Sequence, residues 1–132
     1  MMNQEIYRVS VEDFITTGGS GCIDLELSKT NLKKLCAVWS AKPSQNVLVD
    51  LRDRTIELSP RDVELLVDVV AKTGLGIKNR VALVYKYRAP FDPANFFEFL
   101  ATRKGMQIRA FEDFEEAISW LGIMTSVTEK TA

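Results

Sequence analysis

The 132-residue chain contains no histidine. That absence excludes Ser-His-Asp and Cys-His catalysis, histidine-ligated metals and a histidine pH switch, and with them most common hydrolase chemistry. Neither sign of charge is in excess: 17 Lys and Arg stand against 18 Asp and Glu, a formal net charge of −1. Nucleic acid is therefore not an expected partner, and any charged ligand has to be read locally. Cysteine is scarce. Cys22 and Cys36 have no CxxC pair beside them, so neither a zinc site nor a disulfide framework is indicated, and both read as small apolar side chains. No apolar run reaches the ~18 residues of a membrane span. The start, Met1-Met2-Asn3-Gln4-Glu5, has no basic segment of the kind that opens a secretory signal, so the expected location is cytoplasmic.

What the chain does have is apolar residues, 46% of the total, enough for one hydrophobic core and too few for two. A single domain is expected over residues 1–122, followed by a polar tail at 123–132. Ile6 to Val11 alternate as a strand does, and Phe14 to Thr17 could pair with them. Gly18-Gly19-Ser20-Gly21 reads as a flexible turn. Ile23, Leu25 and Leu27 alternate again, which fits a strand or the beginning of a helix. From Ser28, Leu32, Leu35, Cys36 and Trp39 fall on one helical face that should end before Lys42-Pro43.

The remainder has a clear βα rhythm. Val47-Leu48-Val49-Asp50-Leu51 is nearly continuous in apolar character, as in a parallel strand covered on both faces. Ser59-Pro60 supplies an N-cap and a proline at N1, and Val63, Leu66, Val67 and Val70 carry the stripe of a helix up to Gly74. Val81 to Tyr85 is a second buried strand. Asp92-Pro93 repeats the helix start, with Phe96, Phe99 and Leu100 as its stripe. Ile108 to Phe111 is a third strand, and Asp113 caps a last helix through Phe114, Ala117, Ile118 and Leu121. The connections are too long for hairpins, so the strands from residue 47 onward should be parallel, with an N-terminal pair making the sheet mixed.

Chemistry is harder to find. Ligands of open α/β sheets collect at the carboxyl ends of the strands, and here those ends are cationic: Arg52-Asp53-Arg54 after one strand and Lys86-Tyr87-Arg88 after the next. These residues, with Arg61, form either a binding rim for an anion or a partner's carboxylate, or a solvated edge of exposed ion pairs. Asp50, inside an apolar strand, either accepts hydrogen bonds from backbone amides or Arg52, or has a perturbed pKa put to use. The glycine cluster lacks the endings of a phosphate loop and of a dinucleotide fingerprint, so no cofactor is expected. Glu112, Asp113, Glu115 and Glu116 suit a helix start better than a metal cage. Phe91 and Phe97 exceed what one core-facing stripe requires. They suggest a homodimer contact, a protein partner, an apolar ligand or a second buried face.

The segments Val47-Leu48-Val49-Asp50-Leu51-Arg52-Asp53, Leu58-Ser59-Pro60-Arg61-Asp62, Arg80-Val81-Ala82-Leu83-Val84, Ile108-Arg109-Ala110-Phe111 and Glu115-Glu116-Ala117-Ile118-Ser119-Trp120-Leu121 together resemble the bacterial SpoIIAA-like proteins related to STAS domains. The resemblance implies a single α/β domain with a mixed sheet of four to five strands and about four helices. It also implies a non-enzymatic, regulatory role in binding a protein partner through the strand-end rim. In the wider STAS group a serine at the start of the helix after the central strand is phosphorylated, and Ser59 occupies a similar place, although its surroundings, Glu57-Leu58-Ser59-Pro60, differ from the aspartate-serine-glycine of that switch. The N-cap reading of Ser59 stands beside it. SpoIIAA-like chains also resemble lipid-binding modules of the SEC fourteen type, so a carrier of a lipid or an anionic metabolite is the alternative. Its head would meet the cationic rim and its body Phe91 and Phe97.

Overall fold

The computed structural model describes residues 4–9, 14–87 and 91–122. In chain order the elements are β1 (Gln4–Val9), β2 (Phe14–Gly19), β3 (Gly21–Ile23), α1 (Leu25–Trp39), β4 (Val47–Asp50), β5 (Arg54–Ile56), α2 (Pro60–Thr73), β6 (Val81–Val84), α3 (Pro93–Arg103), β7 (Ile108–Phe111) and α4 (Phe114–Trp120). Five strands form the main sheet in the order β1-β2-β4-β6-β7, and β3 pairs with β5 in a small second sheet. β1 is antiparallel to β2, whereas β2, β4, β6 and β7 are mutually parallel, so the sheet is mixed and the βα units from residue 47 are parallel as expected.

The central strands are apolar on both faces because both faces are covered. Val47, Val81 and Ile108 join Leu35 and Trp39 of α1, Val63, Val67 and Val70 of α2, and Ala101 of α3 in the larger core. Leu48, Ala82, Val84 and Phe111 point the other way, against Ala117, Ile118 and Leu121 at α4. Alternation along a strand thus sorts one continuous apolar run into two cores. At the opposite end from the strand tips, the amides of buried Asn79 and half-buried Asn46 tie the loops together. Asn79 accepts from the Gly76 amide at 2.7 Å and donates to the Gln45 carbonyl at 2.8 Å. Asn46 donates to the Leu121 carbonyl at 2.9 Å and accepts from the Arg80 amide at 2.8 Å. Along the outer strand β7, the Ala110 amide has no strand partner and donates to Glu98 Oε1 at 2.6 Å. That contact shields part of an edge that would otherwise offer itself to another strand.

The structure departs from the sequence reading in four places. Gly18 and Gly19 are strand residues of β2, and Gly21 opens β3, so the cluster is a strand-to-strand corner; Gly18 sits in parallel register with Asp50. The first helix begins at Leu25, because Asp24 caps it by accepting from the Leu27 amide at 2.9 Å. Arg54 belongs to the unexpected strand β5, which pairs with Gly21–Ile23, and is 4% exposed, so it is no part of a solvated rim. On α3 the inward stripe is Ala94, Phe97 and Ala101, with both alanines buried, while Phe99 is 54% exposed. Of the expected stripe, Phe96 and Leu100 are partly buried and pack against the core, and only Phe99 lies outside it. The expected strand continuation to Val11, the residue Arg88 and the tail at 123–132 lie outside the described residues.

Candidate functional site

The strand-end rim separates into inward and outward groups. Asp50, the last residue of β4, is held by Arg52, whose Nε donates to Oδ1 at 2.9 Å and whose Nη2 donates to Oδ2 at 2.7 Å. The Arg52 backbone amide also donates to Oδ1, at 3.1 Å. Hydrogen bonding from Arg52 holds the Asp50 carboxyl below its ordinary range, and the same contact raises the guanidinium. The Arg52 guanidinium lies 4.8 Å from the ring centre of Phe114, so it also bridges to α4. Asp50 is therefore satisfied by its neighbour two residues along, one of the two roles its sequence position allowed. Arg54 donates through Nη1 to the Ser20 carbonyl at 2.8 Å, and burial lowers its pKa. Asp53, Arg61 and Lys86 are exposed.

Ser59 caps α2 in a reciprocal box. Its Oγ accepts from the Asp62 amide and Asp62 Oδ2 accepts from the Ser59 amide, both at 3.1 Å. The side chain is exposed, and of the rim arginines Arg52, Arg54 and Arg61 only Arg61 is exposed, on the same helix, since Arg52 and Arg54 are directed at Asp50 and Ser20. Replacing Ser59 by alanine should lower stability by about 1 kcal/mol, while Ser59→Asp, an equally good cap, should leave it within a few tenths. Urea denaturation of the two variants checks this; equal losses in both would show that the cap contributes little here.

At the start of α3, Asp92 accepts from the Asn95 amide at 3.1 Å and from the Tyr85 hydroxyl at 2.8 Å. Burial, reinforced by that carboxylate, pushes the Tyr85 phenol well up, so it stays protonated. Tyr85 thereby fixes the position of the α3 N-terminus over the sheet. Phe91 meets Phe96 edge-on, with 5.8 Å between ring centres, and Phe96 stacks with Phe99 at 6.4 Å. Phe97 goes elsewhere.

Phe97 faces a pocket of about 150 Å³ between the sheet and helices α1, α2 and α3. Thr17, Val49 and Leu83, near the carboxyl ends of their strands, form its floor. The pocket is walled by Leu32 and Leu35 of α1, Leu66 and Val70 of α2, and Ala94 and Phe97 of α3. Polar groups are few. They are Thr17, Ser28 and Asn31 together with Asp50 and Arg54, the one carboxylate and the one guanidinium of the lining. Thr17 and Asn31 are 1% and 8% exposed. The location fits the tendency of open α/β sheets to bind ligands beyond the strand ends, but the pocket runs under the helices and into the core, inward of the charged rim. Phe91 and Phe97, paired in the sequence reading as one apolar contact, are thus divided: Phe97 lines the pocket and Phe91 packs on Phe96. Asn31 and Thr17 were not singled out from sequence. The available signal for Asn31 was a polar residue four positions before Leu35 and eight before Trp39, on the same helical stripe.

Among the described residues no group of three or more Cys, Asp or Glu side chains is placed to hold a metal, and no helix is long and apolar enough to cross a membrane. No family model matches the chain, and no curated protein matches it. Among solved structures, it is similar to an uncharacterized protein of the DUF3478 family with a SpoIIAA-like fold from Shewanella loihica PV-4. The two share 18% identity over 91% of this chain and 93% of that one, with a TM-score of 0.59. At that identity the likeness is one of architecture, and with the mixed five-stranded sheet and four helices it leads to one conclusion: the chain has the SpoIIAA-like fold.

Proposed function

We propose that this domain binds a small amphipathic molecule, with the apolar part held in the pocket between the sheet and α1, α2 and α3. One observation carries the reading. The pocket is an open cleft of about 150 Å³ whose lining is almost wholly apolar, so the water in it wets apolar surface that a ligand would bury. An apolar ligand displaces that water, and a volume near 150 Å³ accommodates about six to eight carbon atoms.

Toluene is a suitable first probe because it reports the apolar pocket independently of any head group. Titration followed by amide and methyl NMR should move resonances of Val49, Leu83 and Phe97. A Leu83→Phe variant, which fills the pocket from its floor, should fold with an equal or higher melting temperature and lose the response. Shifts absent, or scattered over the surface, would reject the reading. The second reading is a protein-binding rim. What supports it is the exposure of Ser59, Arg61 and Lys86. It has fewer cations to offer than the sequence suggested, because Arg54 is buried and Arg52 is forked onto Asp50.

A further inference from the structure

We infer that Asn31 recognises the head group of the molecule held in this pocket, and that the head is uncharged and both donates and accepts hydrogen bonds: a carboxamide or a primary alcohol on a body of about six carbons. The inference rests on the pocket reading given above. Asn31 is 92% buried, being 8% exposed, and lines the pocket from α1 beside Ser28, Leu32 and Leu35. Its side-chain amide makes no hydrogen bond to any described residue, although the other deeply buried asparagine, Asn79, uses both ends of its amide. The Asn31 amide atoms are not sealed in the core, so water serves them in the empty pocket and the head group of a ligand takes that water's place.

The chemistry of that partner follows from what Asn31 and the lining present. A carboxamide side chain carries two N–H donors and one acceptor oxygen, so the full complement is a group with an acceptor and a donor of its own. A carboxylate would satisfy the N–H groups and place its charge beside the Asn31 oxygen. The ionised side chains of the lining do not favour an anion either: Asp50 repels one, and the Arg54 guanidinium that would attract one is already engaged by the Ser20 carbonyl. The lining therefore has no net charge to recruit one. A neutral head thus stands in place of the anionic one expected from the cationic strand ends, because Arg52 and Arg54 are engaged by Asp50 and the Ser20 carbonyl, and Arg61 and Lys86 do not line the pocket.

The test compares four probes, toluene, hexanamide, 1-hexanol and sodium hexanoate at pH 8, by NMR titration against the full chain and Asn31→Leu. The expected result is that hexanamide and 1-hexanol bind the natural protein at least tenfold more tightly than hexanoate. Asn31→Leu should weaken hexanamide at least tenfold and leave toluene unchanged. Asn31→Ser, smaller and still polar, supplies the same comparison if the leucine variant does not fold. Hexanoate binding as tightly as hexanamide, or hexanamide binding that Asn31 variants do not alter while toluene still binds, overturns the head-group assignment and leaves the pocket standing. Failure of toluene as well as hexanamide overturns the pocket reading itself.

Discussion

Arg54→Ala is expected to cost about 3 kcal/mol of stability and Arg52→Ala no more than about 1, although the two arginines are separated in sequence by a single residue. Arg54 is 4% exposed and its guanidinium donates to the Ser20 carbonyl at 2.8 Å, tying β5 to the corner between β2 and β3. Truncation leaves that carbonyl short of a donor and removes the packed stem of a long side chain, two losses that add. Arg54→Glu should be worse, more than about 4 kcal/mol, because a buried carboxylate would then face a carbonyl oxygen. Arg52, by contrast, has a side chain 38% exposed, and its partner Asp50 is 30% exposed, so water replaces much of what the fork provided. In urea melts the order should be Arg52→Ala, Arg54→Ala, Arg54→Glu. Equal midpoints for the two alanine variants would mean that Arg54 is as solvated as its neighbour and that the small β3–β5 sheet contributes little.

Asn79→Ala is expected to be comparably severe, about 3 kcal/mol, corresponding to a melting temperature lower by roughly 10 °C for a domain of this size. Asn79 is 3% exposed. Its amide satisfies the Gly76 N–H and the Gln45 carbonyl, and its own carbonyl accepts from Gln107 Nε2 at 3.2 Å, so one residue joins the loops that lead into β4, β6 and β7. Alanine leaves a buried donor and a buried acceptor unpaired, each costing about 1–3 kcal/mol. Hydrogen exchange at the Gly76 amide should accelerate in the variant. A loss under 1 kcal/mol, with Gly76 exchange unchanged, would show that water takes over both bonds. The contrast with Asn31 is instructive: substituting Asn79 by an apolar residue breaks two protein hydrogen bonds, whereas Asn31→Leu breaks none among the described residues and should be tolerated or stabilising.

Strand and helix chemistry was legible in the sequence wherever a residue acts on its immediate neighbours. Ser59-Pro60, Asp92-Pro93 and Asp113 mark helix starts because a short polar side chain reaches an amide two or three residues ahead, and the structure shows all three bonds. Gly74 ends α2 with φ +84°, a backbone conformation that glycine alone adopts without strain. The doubly apolar strands β4 and β6 follow from composition alone, since only coverage on both faces makes a run such as Val47-Leu48-Val49 favourable. The face of α3 was less legible, because hydrophobic size is a poor guide where Ala94 and Ala101 are the residues that approach the sheet.

The sequence by itself determined the absence of histidine chemistry, the βα order from residue 47 and the caps that start each helix, all consequences of residue type or of contacts within a few positions. Tertiary structure decided which arginine is buried, which phenylalanine turns inward and where the core leaves space. Those outcomes depend on contacts between residues far apart in the chain: Arg54 with Ser20 is separated by 34 positions and Asn79 with Gln45 by 34. No local pattern encodes such pairings. The pocket is the clearest case, because its volume is the small difference between the space that six strands and three helices border and the side chains that fill it, a quantity fixed only when all of them are in place.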